Sequence, residues 1–143
     1  MSGGPEVSVV VPVYLSEATL PGFLDALARQ TFRDFETILV DSGPTDACER
    51  IVAGRSEPLV YVRPGGRLLP HAARNAGAER ARGALLVHTD PDVYAAPGWL
   101  ERLVTAHRET GHVVVGALAC HGRRWLDLGI HLCKFSKWLP AGG

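Results

Sequence analysis

The sequence predicts an α/β fold, a mostly parallel sheet flanked by helices. Three observations predict it. β-branched apolar runs alternate with segments of helical periodicity from Val7 to Leu118, as in chains that cross over between parallel strands. Those runs are nearly continuous in apolar character, as expected of strands covered on both faces. Three of them end in polar residues, at Pro12 to Tyr14, Asp41 to Asp46 and Asp90 to Asp92. In open α/β sheets, ligands lie beyond such carboxyl ends.

Val7-Ser8-Val9-Val10-Val11-Pro12-Val13 reads as the first strand. Leu20, Phe23, Leu24 and Leu27 then fall at i, i+3, i+4 and i+7, one face of a helix. Thr19 is the expected N-cap, with Pro21 in the first turn. Glu36 to Val40 is the second strand, followed by a turn-rich stretch, Asp41-Ser42-Gly43-Pro44-Thr45-Asp46, and a short helix carrying Cys48, Ile51 and Val52. Leu59 to Val62 is the third strand, broken by Pro64-Gly65-Gly66.

From Leu68 to Arg82 a helix is expected, with Ala72, Ala73, Ala76 and Gly77 small enough for close packing on a sheet. Gly83 is read as its stop. The fourth strand, Ala84 to Thr89, leads into Asp90. Pro97 opens a helix with an inner stripe of Leu100, Leu103, Val104 and His107, and Val113 to Leu118 reads as a fifth strand.

The bulk properties narrow the function. A chain of 143 residues with 46% hydrophobic content can bury one ordinary core. Zero formal net charge gives no reason to expect a nucleic-acid partner. Three cysteines, Cys48, Cys120 and Cys133, without an export signal before them, point to a reducing, cytoplasmic setting. No apolar run approaches the ~18 residues of a spanning helix. The expected organisation is a flexible N-terminus over 1–6, a domain over 7–119 and a basic amphipathic segment over 120–143.

Asp90-Pro91-Asp92 places two carboxylates at i and i+2 where a strand ends. Such a pair can share a divalent cation and leave room for phosphate oxygens. His88 lies two residues before Asp90 and shares its strand face; with His71, it is read as a structural histidine. After the first strand comes Pro12-Val13-Tyr14-Leu15-Ser16. Without the G-x-G-x-x-G that lets backbone approach a pyrophosphate, a dinucleotide-dependent dehydrogenase is disfavoured. A nucleotidyltransferase would carry a Gly-rich basic loop there, and is disfavoured too.

Val7 to Leu15, Gln30-Thr31-Phe32-Arg33-Asp34-Phe35-Glu36, the Val40-Asp41 turn, Ala73-Arg74-Asn75-Ala76-Gly77 and Asp90-Pro91-Asp92 follow one another in a familiar order and spacing. Together they resemble the nucleotide-binding half of family 2 glycosyltransferases, which have the Rossmann-like GT-A fold. The resemblance implies a nucleoside-diphosphate sugar as partner, a UDP-sugar first, and transfer of the sugar to an acceptor with inversion. It implies that Pro12 and Tyr14 pack around base and ribose, and that Asp41 lies near the base. Arg74 and Asn75 would open toward the nucleotide. Asp92 would ligate Mn²⁺ or Mg²⁺, and Asp90 would reach the ribose or a metal-bound water.

Two departures accompany the resemblance. The family often carries Asp or Asn where Ser42 stands, and Pro44 replaces its usual Ser. Its acceptor half, with the catalytic base, has no counterpart before Gly143, so the chain is expected to be truncated before that half. Glu101, Glu109 and Asp127 are read as surface charges, leaving the catalytic residue unassigned. The alternative expectation is a non-catalytic GT-A-like module that binds nucleotide or a protein partner.

Beyond Ala119, Trp125, Leu128, Leu132, Phe135 and Leu139 recur at spacings of three and four, with Arg123, Arg124, Lys134 and Lys137 interspersed. This segment, 123–140, is expected to cover a sheet face or the absent half. Peripheral contact with an anionic membrane, suited to a lipid-linked acceptor, and self-association are the other readings. Cys120-His121 and His131-Leu132-Cys133 could be drawn as a zinc site, but adjacent Cys-His is not the usual ligand spacing.

Overall fold

The β-branched runs become the strands β1 (Val7–Val13), β2 (Phe35–Asp41), β3 (Leu59–Val62) and β4 (Leu85–His88) in the computed structural model, which describes residues 3–119. The helices between them are α1 (Leu20–Ala28), α2 (Ala47–Ala53), α3 (Pro70–Ala78) and α4 (Trp99–Thr110). All strand pairs are parallel and the order is β3-β2-β1-β4. The chain divides into two compact units at Leu100/Glu101, so the sheet and the first three helices belong to one unit. The fold is the parallel, Rossmann-like α/β architecture the sequence predicts.

Register explains the faces. Val10 lies opposite Ile38 on one side and His88 on the other, and Val40 lies opposite Val62. Val10, Ile38, Val40 and Ala73 form a buried cluster, against which Val60, Val62, Leu68, Ala76 and Ala81 pack. α3 therefore lies on this face, and its small residues let it come close. A Cβ on Gly77 would sit 2.4 Å from Val10 Cγ1 and 3.2 Å from Val40 Cγ2, so the glycine is required by contact with the sheet. The stripe predicted for α1, Leu20, Phe23, Leu24 and Leu27, is buried.

Local details depart from expectation in three places. Thr19 occupies the N-cap of α1 but caps nothing with its side chain; its hydroxyl donates instead to the Ser16 carbonyl at 3.3 Å. α3 ends at Ala78, four residues short of Arg82, so Gly83 is not its stop. Gly83 is needed for another reason: a Cβ there would lie 2.5 Å from the Ser8 backbone nitrogen. Residues 113–119 take no secondary structure, with Val113 93% and Val115 61% exposed. β-branched side chains favour a strand only where a neighbouring strand and a packed face receive them, and residues 113–119 pair with no strand among the described residues. The readings placed on residues 120–143 lie outside the described residues.

Two buried polar residues tie loops to this unit. Glu36, 3% exposed, accepts from the Ser8 hydroxyl (2.7 Å), the Arg82 backbone N–H (2.8 Å) and the Arg82 guanidinium (2.7 and 3.0 Å). Ser8 Oγ in turn accepts from the Gly83 N–H at 2.9 Å. Burial alone would raise the Glu36 carboxyl, but the bonds from Arg82 and Ser8 outweigh it and hold it below the usual carboxylate range. Gln30, fully buried, donates to the Ala26 and Ala96 carbonyls and accepts from the Leu100 N–H at 3.0 Å. That last bond satisfies a first-turn N–H of α4, an orphan donor of every helix start.

Candidate functional site

β2, β1 and β4 are neighbours in the sheet, so their carboxyl ends lie side by side. After β1 the chain turns through Tyr14 and Leu15. Leu15 has φ of +50°, in the left-handed region that a leucine rarely occupies. The Ser16 hydroxyl donates to the Tyr14 carbonyl at 3.1 Å, bracing this turn. Tyr14 is 39% exposed, and the Arg67 guanidinium stands 4.6 Å over its ring centroid. Pro12 is half-buried in β1, opposite Val40.

Asp41 closes β2 and is 1% exposed. Its Oδ1 accepts from the Gly43 N–H at 2.7 Å, and its Oδ2 accepts from the Tyr61 hydroxyl of β3. Burial, then the bond to Asp41, push the Tyr61 hydroxyl up, so it stays protonated and donates. The Ser42 N–H donates to the Val13 carbonyl at 3.0 Å, fastening this turn to β1. Arg63, one residue past β3, donates to the Thr45 carbonyl at 2.9 Å. Cys48, the described free cysteine, is buried in α2, and burial foremost raises its thiol.

At the β4 end, Arg74 of α3 donates to Asp90 Oδ1 at 2.6 Å. The Val93 N–H donates to the Asp90 carbonyl at 3.1 Å, closing a turn around Pro91 and Asp92. Asp92 and Asn75 are exposed. Desolvation, then the Arg74 charge, hold His88 below its ordinary range. Arg74 is thus the partner that Asp90 takes across 16 positions of sequence.

Among the described residues, no three His, Cys, Asp or Glu side chains gather as a cation's ligands. Asp90 and Asp92 are a partial set, one of them already shared with a guanidinium. That donor chemistry fits a hard cation completed by phosphate oxygens and water, not one caged by protein.

The sequence positions Pro12, Tyr14, Asp41, Arg74, Asn75, Asp90 and Asp92 all lie on β1, on β2, on α3 or in the loops after β1 and β4. Tyr61 and Arg67 were not among the expected residues. Tyr61 reads in sequence as one more strand residue, and its meeting with Asp41 depends on the β2–β3 register. Arg67 follows two glycines and carries no local signal.

Residues 8–136 match the family model described as Glycosyl transferase family 2. The chain belongs to that family. A relative from Pseudomonas fluorescens, named undecaprenyl-phosphate 4-deoxy-4-formamido-L-arabinose transferase, is 38% identical over 88% of this chain and 40% of its own length. Validoxylamine A glucosyltransferase of Streptomyces hygroscopicus is 34% identical over 82% of this chain and 27% of its own. This chain therefore spans less than half the length of these relatives.

The crystal structure of residues 1–349 of TarS from S. aureus, in complex with UDP-GlcNAc, superposes with a TM-score of 0.73 at 24% identity, over 83% of this chain and 36% of that one. It shows the shared fold. The mannosyltransferase PcManGT of Pyrobaculum calidifontis, in complex with GDP-Man and Mn²⁺, gives a TM-score of 0.62 at 26% identity, over 90% and 39%. The family 2 assignment and the GT-A fold thus agree with the parallel sheet described above.

Proposed function

We propose that this chain binds a nucleoside diphosphate, with the sugar it carries, at the carboxyl edge of its sheet: a nucleotide-binding module of the family 2 type. The observation that carries the reading is the Arg74–Asp90 pair at 2.6 Å, which brings α3 to the loop that also carries Asp92. A cationic donor and two carboxylates there suit a diphosphate accompanied by a cation. Tyr14 and Pro12 would flank base and ribose, Asp41 would serve the base, and Arg74 and Asn75 would face the nucleotide.

Mn²⁺ or Mg²⁺, held by Asp92 and by Asp90 in part, would neutralise the diphosphate. The similarity to a mannosyltransferase in complex with GDP-Man and Mn²⁺ supports both the nucleotide and the metal. UDP is the first candidate from the motif at Asp41, and GDP the second.

Titration calorimetry of the chain with UDP, with and without Mn²⁺, tests the reading beside an Asp92→Ala variant. Metal-dependent binding that the variant loses is expected. A folded chain that takes up neither UDP, GDP nor dTDP would refute it.

Sugar transfer is the second reading, favoured by the relatives named as transferases. The undecaprenyl-phosphate transferases among them support a lipid-linked acceptor, and with it a cytoplasmic, membrane-peripheral location. No helix among the described residues is long and apolar enough to cross a membrane. Nucleoside diphosphate released from a nucleotide sugar only when a polyprenyl phosphate is added would establish transfer. A chain that binds the donor and releases nothing would leave the binding module alone standing.

A further inference from the structure

Tyr61 makes a contact that neither its strand nor its neighbours in sequence announce: its hydroxyl donates to Asp41. Asp41 is 1% exposed, and each of its carboxylate oxygens accepts one internal bond, from the Gly43 N–H on Oδ1 and the Tyr61 hydroxyl on Oδ2. The two donors come from different places. One is the turn after β2 itself, and the other is the adjacent strand, set by the register that puts Tyr61 opposite Leu39, two residues before Asp41.

A carboxylate held at both oxygens has lost its freedom to rotate, and a lone pair remains on each oxygen. It is an acceptor of fixed direction. Because an ionised carboxylate only accepts, it pairs with a ring N–H and is repelled by a ring nitrogen bearing a lone pair. Uracil presents N–H at ring position 3, whereas cytosine presents a bare nitrogen there.

We propose that Tyr61 is a positioning residue for nucleotide recognition, its hydroxyl fixing Asp41 as the acceptor for a base N–H. The proposal rests on the nucleotide-binding reading and adds to it the group that sets base selectivity. Tyr61 touches no nucleotide in this scheme; it acts through Asp41. The ring itself is half-buried beside Leu39, so replacement by phenylalanine keeps its packing and removes only the hydroxyl.

The test is a double-mutant cycle on the whole chain, with Tyr61→Phe, Asp41→Asn and the pair, each titrated with UDP and with CDP. Tyr61→Phe should weaken UDP roughly tenfold, the scale of one bond to a charged group, while CDP changes less than about threefold. In the Asp41→Asn background, Tyr61→Phe should have no further effect on UDP. Equal losses for both nucleotides, or effects that add, would reduce Tyr61 to a packing residue and overturn the proposal while leaving the nucleotide reading intact. Binding of neither nucleotide by the unmutated chain would remove both.

A measurement on the unmutated protein covers the case of a variant that does not fold. The Tyr61 hydroxyl proton, followed by NMR, should exchange with solvent more slowly once UDP is bound and unchanged with CDP. Equal protection by the two nucleotides would count against the proposal.

Discussion

Arg74 and Asp90 stand 16 positions apart in sequence and meet at 2.6 Å, joining the third helix to the loop beyond β4. Both side chains keep solvent contact, 31% and 50% exposed, so their attraction is screened. Arg74→Ala should therefore cost less than about 1 kcal/mol of stability in urea denaturation. On the proposed reading, which sets Arg74 beside the diphosphate, the same variant should weaken UDP binding several-fold by calorimetry. A stability loss with unchanged binding would make the pair a structural brace.

Glu36 presents the opposite balance. Its carboxylate is buried and its partners are fixed, so Glu36→Gln should cost about 2 kcal/mol, mostly from bonds to a charged group that no longer form. Its folded-state ionisation lies below the ordinary value, which places the sign. The contribution is complete above the unfolded carboxyl's range near pH ~4.3 and disappears as pH falls through the lower folded value. Urea midpoints taken from pH 6 down to pH 3 should fall more steeply for the unmutated chain than for Glu36→Gln. Parallel curves would contradict this.

Gly77→Ala adds one methyl where Val10 already stands at 2.4 Å from its position. Valine is stiff at χ1 and offers little yield. We expect a loss of about 1–3 kcal/mol by thermal or urea unfolding, as for other overpacked cores. A neutral result would mean that α3 slides on the sheet.

Gln30→Leu removes three bonds at once, two of them buried, to the Ala26 carbonyl, the Ala96 carbonyl and the Leu100 N–H. The partners left without a bond should make the change cost about 2–4 kcal/mol. Hydrogen exchange should quicken at the Leu100 amide before it does in β1. Protection unchanged at Leu100 would show that another acceptor takes over.

The parts of the fold legible in sequence were those written in local pattern. β1 and β2 are nearly all buried and read as continuous apolar runs; the α1 stripe repeats at 3.6; and Ala73, Ala76 and Gly77 announce a close helix–sheet contact. The carboxyl edge followed from the order of strands, which put Asp41 and Asp90 at strand ends. What stayed hidden depends on register or burial. Tyr61 meets Asp41 only because β2 and β3 align as they do, and Glu36 and Gln30 look like ordinary surface residues until the fold buries them. The run from Val113 misled because its β-branched side chains carry a preference for strand, while no strand pairs with it among the described residues. Thr19 misled through a competitor, the Ser16 carbonyl, that took its hydroxyl.

The bonds among Ser8, Glu36, Arg82 and Gly83 lie at the end of the sheet away from the strand termini that would receive a ligand. Damage at the two ends should therefore surface differently in a living cell. A bond lost near Glu36 lowers the folded population, and quality control converts that into less protein. On the proposed nucleotide-binding reading, a change near Asp90 should leave the amount of protein intact and alter what each copy can do. Abundance and potency would then be separable traits in this domain, inherited from opposite margins of one sheet.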